Sequence, residues 1–577
     1  MIGDWFDNDY REDGFRTCSV TGLEVHRSVE NLVKLFGLTA VVALLVGGIA
    51  AFFVAMTRWE AVSLLPPEDF YRLLSLHAWY LLIFWMVFME IAILYVGGPM
   101  VLGRKLPAPK LAMTGWGLMA ASAGVITWAI WITDAPAHQQ PLLTSYAPLE
   151  SHPAFYAGVI GFILGAVVAA LPFFVSIWQE KSENPARSLP LVAFGAFATS
   201  IIALEALVGG LITYVPTFLW SVGVVETIDA GWYRQMYWTI GHGSQQINLV
   251  AMITVWYFLT HVVGGARVAS EKVSRTAFIL YVFFINMGAA HHLLADPAVS
   301  GGWRVWNASY AMYGAVGASL IHAFAIPAGL EIGLREKGIG GDGWFGWLRK
   351  APWHDPTFSA TAFSIALFGF LGGISGVLVG QMQLNVMRHN TLAIPGHFHG
   401  TVAVGTTLAF MGLVYFVLDV SFLKERVGKL MARIQPYLYA GAMGLAVMAM
   451  MVVGILWSVP RRHPEGMTLP GIDLSLEAAE PMMAVFGVTA LGAIVAGALF
   501  LVVALATLLF GDRASPEMPI PLEASAGPSG GGSSGNPGAH VYSMRGSFAL
   551  CLLFTVSLAV LFWLDWAWLA SLWQFGA

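Results

Sequence analysis

The chain has 577 residues, 57% of them hydrophobic and only 11% charged, with a formal net charge of −5. A soluble domain carries roughly 25% charged residues, so this composition excludes an ordinary soluble protein, and the small negative charge excludes a nucleic-acid binder. The two cysteines, Cys18 and Cys551, lie at opposite ends, which excludes within this chain a CxxC metal knot, a dinuclear thiolate copper centre and an iron–sulfur cluster, and leaves fifteen histidines as the main metal-binding resource.

Residues 1–30 form a polar cytoplasmic segment; Met1 is followed by IGDWFDNDYREDG, so no cleavable signal peptide is expected. A spanning helix needs about 20 mostly apolar residues. That window predicts thirteen spans, at 31–58, 73–97, 110–133, 153–178, 189–216, 233–264, 273–296, 303–333, 358–381, 390–420, 437–459, 482–510 and 546–572. The fold class is therefore an all-α integral membrane bundle, with a twelve-helix core over 31–510. A Gly/Ser-rich cytoplasmic linker covers 511–545, including EASAGPSGGGSSGNPGAH at 523–540, and 546–577 is an additional C-terminal membrane helix.

Lys and Arg set the orientation. Arg104/Lys105/Lys110, Lys181/Arg187, Arg267/Lys272/Arg275, Arg335/Lys337/Arg349/Lys350 and Lys424/Arg426/Lys429/Arg433 occupy every second loop. This places the N-terminus in the cytoplasm and the C-terminus outside, in a plasma (inner) membrane. Arg461 and Arg462, on an outer loop, break the pattern and require another explanation.

Histidine inside a membrane helix is costly, and a lone one such as His261 or His322 is most simply a residue bonded to a neighbouring carbonyl. Six others differ because their depths coincide. His77, His242, His291, His292, His397 and His399 all fall in the outer half of the bilayer, counted at about 1.5 Å per residue. His397 and His399 are two apart, roughly 200° around a helix, so they face opposite sides. His77 and His399 can hold one six-coordinate, low-spin haem. His397 can hold a second, high-spin haem with an open face. His291 and His292, at a helix end, can share one non-haem metal with His242, and three neutral imidazoles suit copper or another late transition metal.

The pattern resembles the catalytic subunit (subunit I) of the haem-copper oxidase superfamily over nearly the whole chain. YRLLSLHAWYLLIFW around His77 is similar to the family's low-spin haem helix, and NTLAIPGHFHG (390–400) to the helix carrying both haem ligands. HHLLADP (291–297), LEAL (204–207), YWTIGH (237–242) and VPRR (459–462) are most similar to its B-type branch. The resemblance implies that Arg461, Arg462 and His389 lie at haem propionates. It also implies a subunit II-like partner that donates electrons from dinuclear copper or haem c.

One departure bears on the reaction. The family's oxygen reductases place a tyrosine four residues after the first metal histidine, on the same helix face, to supply a proton and an electron when the O–O bond breaks. Here the run is HGSQQ and the position is Gln246. A second branch brings the tyrosine from six residues before the histidine pair, which here is Ile285. Nitric oxide reductases carry glutamate at the 246 position and iron as the non-haem metal, and two NO need only two electrons. A neutral amide is a poor ligand for ferrous iron, so copper is favoured over iron, with Gln246 outside the metal's own ligands.

The proton route departs as well. Tyr257 matches a family position, but Ile253, Ala318 and Ile321 replace hydroxyl residues; Ser319, His322 and Thr254 form a shifted path. Glu205 and Glu90 are intramembrane carboxyls, candidates for proton relay or support of the site. The leading expectation is a respiratory reductase of denitrification that converts nitric oxide to nitrous oxide. The alternative is an oxygen-reducing B-type cytochrome c oxidase, with or without proton pumping. A third is a haem-bearing gas sensor without turnover, which would have no use for the three-histidine metal.

Overall fold

The computed structural model describes residues 5–132, 146–286, 288–341, 343–462, 468–469, 472–473, 477–520 and 544–572. The expected linker at 523–540 lies outside them. Apolar runs of this length fold as helices because lipid offers no partner for an exposed backbone N–H or C=O. In chain order the long helices are α1 (Arg27–Arg58), α2 (Pro67–Met100), α3 (Pro109–Trp131), α4 (Pro153–Glu183), α5 (Leu191–Ser221), α6 (Ala230–Val262) and α7 (Glu271–Asn286). They continue with α8 (Gly301–Glu336), α9 (Pro356–Val379), α10 (Ala393–Val420), α11 (Lys429–Leu456), α12 (Glu477–Phe510) and α13 (Arg545–Leu572). Ahead of them a small antiparallel hairpin pairs β1 (Phe15–Thr17) with β2 (Glu24–His26).

Among the described residues eleven helices are long and apolar enough to cross a membrane, against the thirteen expected. The two outside that set are α6, whose outer half carries the polar run TIGHGSQQIN, and α7, which stops after 16 residues. Helix starts follow local chemistry. Asp229 accepts from the Trp232 amide at 2.6 Å to cap α6, Asp355 does the same for Phe358 at 3.0 Å in α9, and proline opens α2, α3 and α4.

Burial sorts the helices. The apolar windows of α10 and α2 are 83% and 78% buried, so these two run through the centre of the bundle, and they carry His77, His397 and His399. Both are interrupted by π-helical stretches, Trp79–Phe84 just after His77 and His399–Thr406 beginning at a histidine. Such bulges re-aim side chains and cluster at functional sites. The outer end of α10 is sewn to the segment after α11. Leu392 N–H donates to the Val459 carbonyl at 2.7 Å, and Arg461 N–H to the Asn390 carbonyl at 2.9 Å.

Helix α13 lies on the periphery, with only 6% of its window buried. It is held at both ends by charge. Glu331 of α8 accepts from the Ser547 amide and hydroxyl, each at 2.7 Å, at the α13 N-terminus. Near the other end Asp565 pairs with Arg388, whose side chain is 2% exposed. Breaking a buried pair strands the remaining charge, at a cost of about 3–5 kcal/mol. Asp565→Asn is therefore expected to lower the thermal midpoint of the detergent-solubilised protein and open α13 to proteolysis. An unchanged midpoint and digestion pattern would show that the pair does not hold the helix.

Candidate metal centre

A cavity of about 920 Å³ opens between α1, α2, α6, α10, α11 and α12, with His77, His399, His292, His389, Arg461 and Arg462 among its lining residues. Its volume is at the top of the range, about 300–1,000 Å³, typical of cofactor pockets. His77 reaches it because α1 approaches α2 closely at Gly47. A Cβ there would lie 2.5 Å from the Leu81 side chain, and the Gly47 carbonyl accepts from His77 Nδ1 at 3.3 Å. His399 donates from Nδ1 to the Pro395 carbonyl at 2.8 Å. Both rings are thereby left with Nε2 for another partner. They lie nearly parallel, with centroids 6.1 Å apart and planes 14° apart. Two metal–nitrogen bonds of about 2 Å plus two ring half-widths of about 1 Å make the same separation. The pair would hold one haem between its rings.

His397 points to the other side of α10, as its spacing from His399 predicts. It sits against α9, where a Cβ on Gly376 would come within 3.0 Å of the His397 ring. Its Nδ1 meets Ser375 Oγ at 3.0 Å, while the Ser375 hydroxyl donates to the Gly372 carbonyl at 3.1 Å. With the hydroxyl proton committed there, the oxygen accepts from Nδ1–H, and Nε2 keeps its lone pair. That nitrogen would hold a second haem.

The ligating nitrogens of His242, His291 and His292 all lie within 4.8 Å of one another. His242 Nδ1 faces His292 Nε2 at 2.8 Å, while the Nε2 of His242 meets the Gln246 amide on the next turn. Gln246 thus touches the ring nitrogen opposite the cluster. The contacting atom is the Gln246 amide nitrogen, and its Oε1 meets no partner among the described residues; with the amide turned over, so that Oε1 accepts from Nε2–H, Gln246 would fix the tautomer that leaves Nδ1 for a metal. The expected helix-end position of His291 and His292 is corrected. Helix α7 stops at Asn286 and the pair sits on the 3₁₀ turn Ala289–Leu293, where the Ala290 amide donates to Asn307 Oδ1 at 2.9 Å. Leaving the α-helix frees two consecutive imidazoles from the 100° divergence it would impose. His291 donates from Nδ1 to the Gly288 carbonyl, and the Trp238 indole stacks on His292 at 3.8 Å with planes 7° apart.

At the outer rim, Arg234 pairs with Asp296 at 2.8 Å beside Arg461, Arg462 and His389. Burial pushes the Arg461 guanidinium down to about 10, and its Nε meets no partner among the described residues. Burial first, then the Arg461 charge, holds the His389 imidazole below its usual range. A cavity edge lined by half-buried guanidinium groups calls for carboxylates, and two haem propionates meet that demand. The donor sets fit two haems and one non-haem metal.

The other expected residues divide. Tyr257 donates to Ser274 Oγ at 2.9 Å and meets His322 Nδ1 at 3.0 Å. The Tyr281 ring stacks on His322 at 5.6 Å, and its hydroxyl meets Ser319 Oγ at 2.8 Å. Tyr257, His322 and Ser319 therefore share one cluster, to which the sequence reading had not assigned Ser274 or Tyr281. Thr254 does not join it; its hydroxyl turns back to the Val250 carbonyl at 2.8 Å. Glu205 is corrected as well. It is exposed on α5 beside Leu204 and Val208, away from the face that packs through Ala206 on Gly243 of α6, and it does not line the cavity. Glu90 is 4% exposed, its Oε1 meets no partner among the described residues, and it too lies outside the cavity lining. His261 is a structural histidine, bonded to the Ala266 carbonyl at 2.8 Å. Ile285 belongs to α7, but its side chain lies outside the described residues.

A bundle with paired haem-ligand histidines and a three-histidine metal cluster defines a haem-copper membrane oxidoreductase. The sequence matches the family described as cytochrome c and quinol oxidase polypeptide I over residues 31–495, and the chain belongs to that family. It is similar to a cytochrome c oxidase subunit 1 of Thermus thermophilus, with 30% identity over 511 residues, covering 84% of this chain and 86% of that one. It is also similar to cytochrome c oxidase subunit 1 of Thermostichus vulcanus, 24% identical over 65% of this chain and 67% of the relative. A heme-copper terminal oxidase dimer solved by cryo-EM superposes with a TM-score of 0.78 at 25% identity, covering 94% of this chain and 92% of that one.

Replacing His291 or His292 with alanine is expected to remove the non-haem metal while both haem spectra persist. His399→Ala is expected to abolish the low-spin haem spectrum and keep the metal. Elemental analysis and optical spectra check both; loss of every cofactor together in each variant would contradict the separate donor sets.

Proposed function

We propose that this chain is the catalytic subunit of a bacterial plasma-membrane respiratory reductase that converts nitric oxide to nitrous oxide, with its N-terminus in the cytoplasm. The observation that carries the reading is Gln246 in contact with His242. The residue beside the metal ligand has no accessible one-electron oxidation and no acidic proton. A reaction that needs only the metals' electrons, 2 NO + 2 e⁻ + 2 H⁺ giving N₂O and H₂O, is compatible with that; cleavage of O₂ at four electrons is less so.

His77 and His399 hold the low-spin haem, His397 the high-spin haem, and His242, His291 and His292 the non-haem metal, with copper favoured over iron. When bound, these groups supply electrons and a face on which a diatomic molecule is reduced. The protein's residues do the rest. Gly47, Pro395 and Ser375 orient the haem ligands, Gln246 orients His242, and Arg461, Arg462 and His389 face the propionates. Protons enter through the cluster of Ser274, Tyr257, His322, Tyr281 and Ser319, with the imidazole as its titratable member. Electrons come from a partner subunit carrying dinuclear copper or haem c, because two distant cysteines cannot build either carrier here.

The names of the relatives favour a second reading. The proteins from Thermus thermophilus and Thermostichus vulcanus are named cytochrome c oxidase, and the solved neighbour is a terminal oxidase. On that reading the chain reduces oxygen and finds its fourth electron elsewhere. Gln246→Tyr separates the two. If the missing tyrosine limits oxygen chemistry, this variant is expected to raise O₂ turnover relative to NO turnover. Rapid O₂ reduction by the unaltered enzyme with negligible N₂O formation would establish the second reading instead. His322→Phe is expected to slow steady turnover of either gas and to shift its pH profile, with haem and metal content unchanged. A pH profile identical to that of the unaltered enzyme would remove His322 from the proton route.

A further inference from the structure

One histidine of the centre is held differently from the others that face the backbone. His77 and His399 give Nδ1–H to the carbonyls of Gly47 and Pro395, and His291 gives it to that of Gly288. His397 gives it to a hydroxyl, Ser375 Oγ, at 3.0 Å. Carbonyls are nonetheless close at hand. The π-helical stretch Phe368–Gly373 of α9 ends just before Ser375, and the Gly372 carbonyl faces the His397 ring as well. The Ser375 hydroxyl touches the carbonyls of both Leu371 and Gly372, the latter at 3.1 Å. A hydroxyl has one proton to give, so it spends that proton there and offers its lone pairs to the ring. Serine in a helix often bonds back to the carbonyl four residues earlier, here Leu371. A serine that did only this would leave the ring to a carbonyl. Ser375 instead stands between the imidazole and the backbone. The slot is tight: Ser375 is 1% exposed, and a Cβ on the adjacent Gly376 would come within 3.0 Å of the His397 ring.

We propose that Ser375 sets how firmly His397 binds the high-spin haem, by giving its ring a weak acceptor where the low-spin ligands have strong ones. The proposal rests on the haem–metal reading of the site, and it is independent of whether NO or O₂ is the substrate. The partner of one ring nitrogen tunes the basicity of the other. An amide carbonyl, with its large dipole, draws the Nδ1 proton more strongly than an alcohol oxygen does, and so leaves Nε2 the better electron donor. The hydroxyl's own donation to the backbone strengthens it only modestly as an acceptor. His77 and His399 are therefore the more basic pair, suited to a haem that only passes electrons. His397 is the less basic ligand, which favours the ferrous over the ferric state of its haem; hydrogen bonds to a haem ligand are one of the protein's levers on potential. Ser375 acts through His397 and is a positioning residue. The chain builds part of the difference between its two haems from this one hydroxyl.

The test reads the iron–histidine bond directly. Resonance Raman spectra of the complete, reduced holoenzyme give its stretching frequency, and growth on histidine labelled with heavy nitrogen assigns the band. Ser375→Ala removes the hydroxyl and frees the Gly372 carbonyl for Nδ1–H. The stretch is then expected to move to higher frequency, and the midpoint potential of the high-spin haem to fall. Ser375→Gly removes the same hydroxyl with a different change in packing and is expected to shift both readings in the same direction, which keeps the test open if alanine costs the protein its haem. Ser375→Thr keeps a hydroxyl and is expected to retain the frequency of the unaltered enzyme. A stretch that stays in place or moves down in Ser375→Ala and Ser375→Gly, or that moves equally in Ser375→Thr, overturns the proposal. The labelled, unaltered enzyme separates the two levels. Absence of any band sensitive to labelled histidine defeats the reading of His397 as a haem ligand, whereas a sensitive band indifferent to residue 375 defeats the proposal alone.

Discussion

Everything at this centre depends on how each imidazole divides its two nitrogens. A buried neutral histidine has one donor and one acceptor, and both must be satisfied in a low-dielectric interior. Here His77, His399 and His291 each spend Nδ1 on a backbone carbonyl, from Gly47, Pro395 and Gly288, and His397 spends it on Ser375. His242 is arranged the other way round, with Nε2 on Gln246 and Nδ1 turned to the cluster. The remaining nitrogens of His77 and His399 face one another, those of the three-histidine cluster converge, and His397 Nε2 stands apart from both, which gives three places where metals fit. The backbone meets that demand in two ways. His399 opens a π-helical stretch and His291 and His292 stand on a 3₁₀ turn, whereas the Gly47 carbonyl that receives His77 lies within α1 and uses its second lone pair.

The rim is the electrostatic counterpart. Arg461 and Arg462 stand on a segment stitched to the start of α10, so the helix that supplies two haem ligands also fixes the position of the guanidinium groups. Arg388, at the same outer end, is held by Asp565 from α13. The C-terminal helix is peripheral by burial, yet it secures the wall of the cavity from outside. This gives the added helix a physical role that its apolar sequence does not reveal.

Much of this was legible in residue order. The hydrophobic windows located most of the helices closely, but the window at 273–296 ran past the end of α7 at Asn286 and that at 437–459 began well after the start of α11 at Lys429; the two-residue spacing of His397 and His399 gave their opposite facing. The breaks in the helices were not legible, because a 3₁₀ turn through AAHHL carries no signal distinguishing it from the end of a span. The partners of the histidines were equally hidden, since a backbone carbonyl has no residue type. Glu205 misled because an intramembrane carboxylate suggests function wherever it points, and only the helix face shows that it points outward. Ser274 and Tyr281 were passed over because the hydroxyl pattern was sought on two helices, and the cluster draws on a third, α7. Whole-chain similarity and local chemistry also point to different substrates. The relatives are named oxidases, while the contact at His242 is an amide. Overall fold is set by hundreds of packed residues, whereas the electron count of a reaction can turn on one.

The most direct measurement is a single turnover. Fully reduced enzyme, free of external donor, is mixed anaerobically with nitric oxide while N₂O release and oxidation of each cofactor are followed together. The account predicts one N₂O per enzyme, formed as the two metals at the His397 and three-histidine sites give up one electron each. Nitric oxide that binds without N₂O release, in an enzyme that the same mixing shows to reduce O₂ fully to water, would contradict it.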